Sequence, residues 1–163
     1  MRSPIASEFR RLRRQMERAN RRVALADIPG KVIPGSQVYD GDRTVRLDLG
    51  RSADGRVIKS PKVKWQQAGA GTLRVHTPPK DDEQMRLRSP SGTVGTGSLA
   101  DWGTYDDDTR PPSESGDEAV IEFGGKARFT LREDRIVLSI GTSSVTLKEG
   151  EMTLVSDRID LNP

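Results

Sequence analysis

Short groups of apolar residues, spaced two apart, fill the C-terminal segment from residue 127 to residue 163. This spacing places side chains on opposite sides of a helix but on one face of a β-strand. Gly141, Gly150 and frequent β-branched residues also disfavour a helix. The pattern predicts five short strands that share one apolar face, formed by Phe129, Leu131, Ile136, Leu138, Ile140, Val145, Leu147, Met152, Leu154, Ile159 and Leu161.

Strands this short are unstable alone, and a single ribbon of them leaves its apolar face in water. Full burial of one Leu or Ile side chain contributes about 1.5–3 kcal/mol, so an exposed face of this size is unfavourable. We therefore expect three copies of the chain to enclose the face as a trimeric, intertwined β-helix. Its core then belongs to no single chain.

The composition agrees with a core that other copies help to build. Only 33% of residues are apolar and 4% aromatic, whereas 31% are charged. The chain has no cysteine, so disulfides and thiolate metal sites are excluded. No run of about 18 apolar residues is present, and the N-terminus lacks the apolar stretch of a signal peptide, so we expect synthesis in a cytoplasm.

The first 26 residues form a basic arm. They hold eight arginines against Glu8 and Glu17, a local charge of +6, so the net charge of +3 leaves −3 for the rest of the chain. Apolar residues recur with the heptad spacing of an amphipathic helix that starts near Ser7 as N-cap and ends before Pro29 and Gly30. This seam consists of Ile5, Phe9, Leu12, Met16, Ala19 and Val23.

Three interpretations of the arm remain open. The helix lies on its own domain, or it forms a short coiled coil or docking helix, or its arginines bind RNA or a membrane. The seam is too short to hold a coiled coil alone, so association through it needs help from another part of the chain.

The middle of the chain, residues 28–103, predicts a small β-barrel. Apolar residues alternate at Val45, Leu47 and Leu49, at Leu73 and Val75, and at Met85 and Leu87, with turn residues between them. Five or six strands in this length suggest an OB-fold. Such barrels often bind single-stranded nucleic acid through aromatic residues, and the candidates here are Tyr39, Trp65, Trp102 and Tyr105. Because no dense stripe of basic residues accompanies them, a purely structural barrel is favoured.

Residues 104–120 predict an acidic linker, because they hold almost nothing to bury. Asp106, Asp107 and Asp108 are interpreted as a solvated turn rather than a cation site.

The order of these parts resembles baseplate assembly protein V, the central spike of contractile-tailed, Mu-like phages. The similarity is clearest in GKVIPGS at 30–36, EQMRLRSPSG at 83–92, and the long segments at 60–79 and 124–147. It implies an N-terminal helix at 1–27, an OB-fold domain at 28–103, the linker at 104–120 and a trimeric β-helix spike at 121–163.

The resemblance also implies partners and a location. The chain would be a homotrimer in the virion's tail baseplate, assembled in the host cytoplasm, and would contact the host outer membrane transiently. A tail hub protein would dock against the helix through Ile5, Phe9, Leu12, Met16 and Val23. Many members of the family hold an apical iron ion with a His-x-His pair, whereas this chain has the single histidine His76. We therefore expect no metal or other cofactor, and a separate tip protein is a further candidate partner.

The family's Gly-Glu-Gln-Val turn, near the fourth strand of the barrel, reads Asp82-Glu83-Gln84-Met85 in this chain. We expect no enzyme activity. The single histidine has no recognisable catalytic partners, and the sequence contains no Gly-rich phosphate-binding loop. The alternative is an OB-fold protein that binds single-stranded nucleic acid with its arginine-rich arm. The acidic body and the β-repeat argue against it, so no nucleic-acid partner is expected.

Overall fold

The structure is a computed structural model that describes residues 4–160. It is mostly β with one N-terminal helix and curled sheets, as the predicted all-β class requires. The chain divides into two compact units, Met1–Thr109 and Arg110–Pro163. The division lies inside the predicted linker, and predicted core residue Leu161 lies outside the described residues.

Helix α1 spans Pro4–Ala24 and is strongly amphipathic. It begins three residues before Ser7, so the predicted N-cap is wrong. Proline suits a helix start because its missing N–H is not needed there. The helix also ends earlier than predicted, and Pro29 and Gly30 lie in the first strand instead. Within residues 4–160, no helix has the length and apolar character needed to cross a membrane.

The first unit contains a seven-stranded sheet in the order β2-β5-β7-β6-β1-β3-β4. Its neighbouring strands are antiparallel except for the parallel pair β5 and β7. The strands are β1 (Asp27–Val32), β2 (Thr44–Val45), β3 (Leu47–Arg51), β4 (Val57–Lys59), β5 (Val63–Trp65), β6 (Gln84–Arg88) and β7 (Leu99–Trp102).

The core of this unit lies on one face of the curled sheet. Residues of six strands point into it, so the period-two pattern here gives ordinary burial within one chain. Gly30 allows strands β1 and β3 to approach closely, since a Cβ there would lie 2.7 Å from the carbonyl oxygen of Asp48. The buried apolar residues are Val32, Val45, Leu47, Val63, Trp65, Met85, Leu87 and Ala100.

One strand predicted in this unit is wrong. Leu73 and Val75 lie in an irregular loop that contains an isolated bridge between Ala70 and Arg74. Leu73 is exposed, so its alternation with Val75 reflects no buried face. His76 is exposed in the same loop.

The second unit is a five-stranded antiparallel meander in the order β12-β11-β10-β9-β8. Each strand pairs with its neighbours in sequence through tight turns, and Gly141 and Gly150 adopt positive φ in two of them. The strands are β8 (Glu118–Phe123), β9 (Ala127–Arg132), β10 (Arg135–Ile140), β11 (Ser143–Lys148) and β12 (Glu151–Val155).

The number of strands matches the prediction, but their positions differ at both ends. Residues 156–160 form no strand, so the predicted last strand through Ile159 is absent from the described part of the chain. Strand β8 instead extends the sheet into residues that had been predicted as linker. Ala119, Ile121 and Phe123 carry the same two-residue spacing, which was the signal for this strand.

Candidate assembly surfaces

One face of the five-stranded sheet is apolar along its whole width. Cross-strand pairing aligns its side chains in rows, because directly paired residues of neighbouring strands lie on the same face. One row runs through Ile121, Phe129, Leu138, Val145 and Leu154. A second row runs through Ala119, Leu131, Ile136, Leu147 and Met152.

Nine residues predicted for the shared core belong to this apolar face. Besides the members of the two rows they include Ile140, which pairs with Ala127. Ile159 is 48% exposed but lies after the last strand, so the structure does not place it in either row.

Strands β8 and β10 of this sheet have the reverse of the exposure pattern of an ordinary domain. In β10 the apolar residues Ile136, Leu138 and Ile140 are exposed, whereas Arg135 and Ser139 on the other face are half-buried. Ile140 is 67% exposed and Leu138 48%. A single copy of the chain therefore leaves uncovered the face that its sequence would place in a core.

A network of charged groups occupies the opposite, polar face. The Glu118 side chain is only 6% exposed and accepts hydrogen bonds from Arg132 Nε at 2.7 Å and Ser113 Oγ at 2.5 Å. These bonds, the Ser113 bond first, lower the pKa of Glu118. Arg128 donates to the Pro112 carbonyl oxygen at 2.9 Å, so residues 112–113 are fastened to this face.

A second apolar surface lies on helix α1. Its seam residues Ile5, Phe9, Leu12, Met16 and Val23 are 49–75% exposed. The helix therefore does not bury its seam against its own domain, and that interpretation of the arm is wrong. The seam remains open to a coiled-coil or docking partner.

The C-terminal end of α1 is fixed to the first sheet's loops. Arg22 donates from Nε and Nη2 to the carbonyl oxygen of Ser91, at 3.2 and 3.0 Å. Gly92 has a φ of +68°, and a Cβ there would lie 2.7 Å from the Cβ of Arg22, so only glycine permits this approach. The helix is thus held at one end and exposed along its seam.

The four aromatic residues proposed as a nucleic-acid platform do not share one role. Trp65 is buried in the core, where Tyr39 packs edge-on against it with ring centroids 6.1 Å apart. Trp102 and Tyr105 are exposed, and Trp102 donates its indole N–H to the Gln66 carbonyl oxygen. Trp65 cannot stack on a base without leaving the core.

The acidic turn at 106–108 binds a lysine. Lys31 Nζ lies 2.7 Å from Asp108 Oδ2 and 2.9 Å from Asp106 Oδ2. These contacts, with Asp108 first, raise the pKa of Lys31, and Lys31 in turn lowers the pKa of Asp106. Among the described residues, no group of His, Asp or Glu side chains is placed to hold a metal ion.

Sequence comparison does not extend this picture. No protein-family model matches the chain, and a search of curated proteins gives no significant match.

Proposed function

We propose that this protein is the structural central spike of a contractile phage tail baseplate, acting as a homotrimer. The observation that carries the proposal is the exposed apolar face of the five-stranded sheet, clearest in β8 and β10, where the apolar residues are exposed and alternate residues on the other face are half-buried. A monomer gains nothing from such a surface, whereas three copies gain a shared core.

The size of the apolar face supports association rather than a small ligand. Full burial of each large side chain contributes about 1.5–3 kcal/mol, and two rows across five strands supply many of them. Strands β8 and β12 are the outer strands of the sheet, and their outer edges are proposed to pair with those of neighbouring copies. The closed, intertwined product is the trimeric β-helix.

The two units have different roles in the proposed spike. The curled seven-stranded sheet is the OB-fold that sits beneath the tail hub, and the β-helix is the rod that pierces the host outer membrane when the sheath contracts. A closed rod suits axial load, because force on one chain is shared by the hydrogen bonds of all three. Helix α1, held at Ser91 and basic along its outside, contributes to hub docking.

The apex of this spike is proposed to lack the iron site of many relatives in the family. His76 lies in the loop of the first unit, so it cannot supply an apical ligand pair. At the described end of the chain, Arg158 pairs with Asp160 at 2.9 Å instead. A separate tip protein is therefore a proposed partner.

Mass measurement tests the trimer directly. Three copies of the 18.0 kDa chain should give about 54 kDa by light scattering at micromolar concentration. A monomer under these conditions would overturn the proposal.

Binding to single-stranded DNA across a salt series tests the other function class. A spike should bind weakly or not at all. A trimer that binds with a steep salt slope would favour the nucleic-acid alternative.

Location tests the phage assignment itself. Gold label attached to the chain should mark the baseplate end of purified contractile tails. If the labelled chain is a trimer but purified tails carry no label, the spike role is excluded and the proposal of a homotrimer still stands.

A further inference from the structure

The exposed seam of α1 has the geometry of a coiled-coil interface. Phe9, Met16 and Val23 occupy heptad position a, and Ile5, Leu12 and Ala19 occupy position d. The seam runs the whole length of a helix of 21 residues. Position a and position d residues are those that a partner helix covers.

The positions that flank the seam carry a matched set of polar residues. Glu8 and Gln15 are at position g, and Arg13 and Asn20 are at position e. In a parallel arrangement each g residue faces the following e residue of the next helix. Glu8 then meets Arg13 of the next copy, and Gln15 meets Asn20, so one pair is oppositely charged and the other can hydrogen-bond.

An antiparallel arrangement loses this match. Position e then faces position e, and at full overlap Arg13 faces its own copy. In the isolated chain Arg13 pairs with Glu17 at 3.0 Å, and Glu8 lies 3.9 Å from Arg11. Both pairs are exposed to solvent, so they compete weakly with contacts between copies.

The remaining arginines avoid the interface. In this register they lie at the outward positions b, c and f, while Arg22 at position g is engaged by the carbonyl oxygen of Ser91. Most of the positive charge on the helix therefore lies away from the seam. The outward arginines of the helix are Arg10, Arg11, Arg14, Arg18 and Arg21.

We infer that the occupant of the seam is the same helix of the other two copies, packed as a parallel three-stranded coiled coil. The inference rests on the proposed trimer, whose cyclic symmetry makes the helices parallel. A seam of this length is marginal alone, but tethering within one trimer gives an effective concentration in the millimolar range. The seam is then closed to the hub, and only the outward arginines face a partner.

Single cysteines test this arrangement cleanly, because the chain contains none. Met16→Cys places a thiol in the seam, and Arg14→Cys places one on the outside of the same helix. With a short bismaleimide at dilute protein, Met16→Cys should give covalent dimers about tenfold faster than Arg14→Cys, since only seam thiols of neighbouring copies are close.

A charge pair provides a second, matched test. Glu8→Arg and Glu17→Arg change the charge of the helix equally, but Glu8 faces the interface and Glu17 at position b faces water. In the Met16→Cys background, Glu8→Arg should slow crosslinking severalfold and Glu17→Arg should leave it nearly unchanged.

The outcomes separate this inference from the proposed function when the mass of each variant is measured in parallel. A trimer that crosslinks through Met16→Cys, with the predicted charge dependence, supports the coiled coil. A trimer in which Met16→Cys and Arg14→Cys crosslink equally overturns it and leaves the seam to another partner such as the hub. A monomer overturns the trimer and the coiled coil together.

Discussion

Leu47 and Leu147 both alternate with polar or charged neighbours, yet their surroundings are opposite. Leu47 is fully buried in the first unit, within a core of eight residues supplied by one chain. Leu147 is 40% exposed in the second unit, where its row of apolar side chains lies on the open face of the sheet. The comparison shows that alternation identifies the face that needs covering, but not which chain covers it.

A charge in the apolar row should break the comparison most strongly. Leu147→Asp would place three carboxylates in one dry layer of the proposed rod, and each buried unpaired charge costs several kcal/mol even after relaxation. We expect loss of the trimer in light scattering and a much lower melting temperature.

Lys148→Asp is the matched control for this variant. Lys148 lies on the opposite face of the same strand, beside Glu151, so its replacement should leave the trimer intact. If Lys148→Asp dissociates the trimer and Leu147→Asp does not, the assigned face is wrong.

Truncation of the two leucines should distinguish a core formed within one chain from a core shared between chains. Leu47→Ala should destabilise the first unit by about 2–5 kcal/mol at any protein concentration, because the cavity forms within one chain. Leu147→Ala should have an effect that grows on dilution, because the lost contacts contribute to association. Hydrogen exchange of β3 and β11 at two concentrations measures both. Equal concentration dependence for the two variants would contradict a shared core.

Acid should act on the polar face of the second unit. The lowered pKa of Glu118 means that the folded state favours its ionised form. This stabilisation is complete above the ordinary pKa of a glutamate, about 4.3, and is lost as pH falls through the lower folded-state value. Glu118→Gln should be less stable near neutral pH and lose less stability on acidification, as circular dichroism would measure.

Glu133→Gln, in the exposed turn between β9 and β10, is the control for Glu118→Gln. It should follow the parent across the acid titration. An unchanged profile for Glu118→Gln as well would mean that the Ser113 and Arg132 contacts do not contribute to stability.

The smallest effect is expected at the acidic turn. Lys31→Met removes the ammonium group that Asp106 and Asp108 bind, so amides at 106–109 should exchange faster while the melting temperature stays almost constant. Lys64→Met, at an exposed position of β5, should leave that exchange unchanged. Identical exchange in the Lys31 variant and the parent would show that the turn holds its shape alone.

Sequence predicted the strands of the second unit well because local turns set their register. It missed β8, since the acidic residues before Glu118 were interpreted as a linker that continues to residue 120. The alternation of Leu73 and Val75 predicted a strand that does not form, because two alternating residues are too few to indicate a buried face. The network of Glu118, Arg132 and Ser113 was beyond reach, since it depends on pairing across β8 and β9.

The exposure of the helix seam was also not readable from its spacing. The same heptad pattern fits a helix that packs on its own sheet and one that awaits a partner. The contact between Arg22 and Ser91, which are far apart in sequence, helps to fix which side of α1 faces the first sheet.

The meander of the second unit has a kinetic consequence. Every strand pairs with its neighbour in sequence, so its contacts are local and one chain can form the sheet rapidly by itself. Association of three copies into the proposed trimer would be slower, because it depends on encounters between chains. Until association occurs, the exposed apolar face can bind other apolar surfaces non-specifically. High-level synthesis should therefore cause this chain to aggregate unless its copies associate quickly.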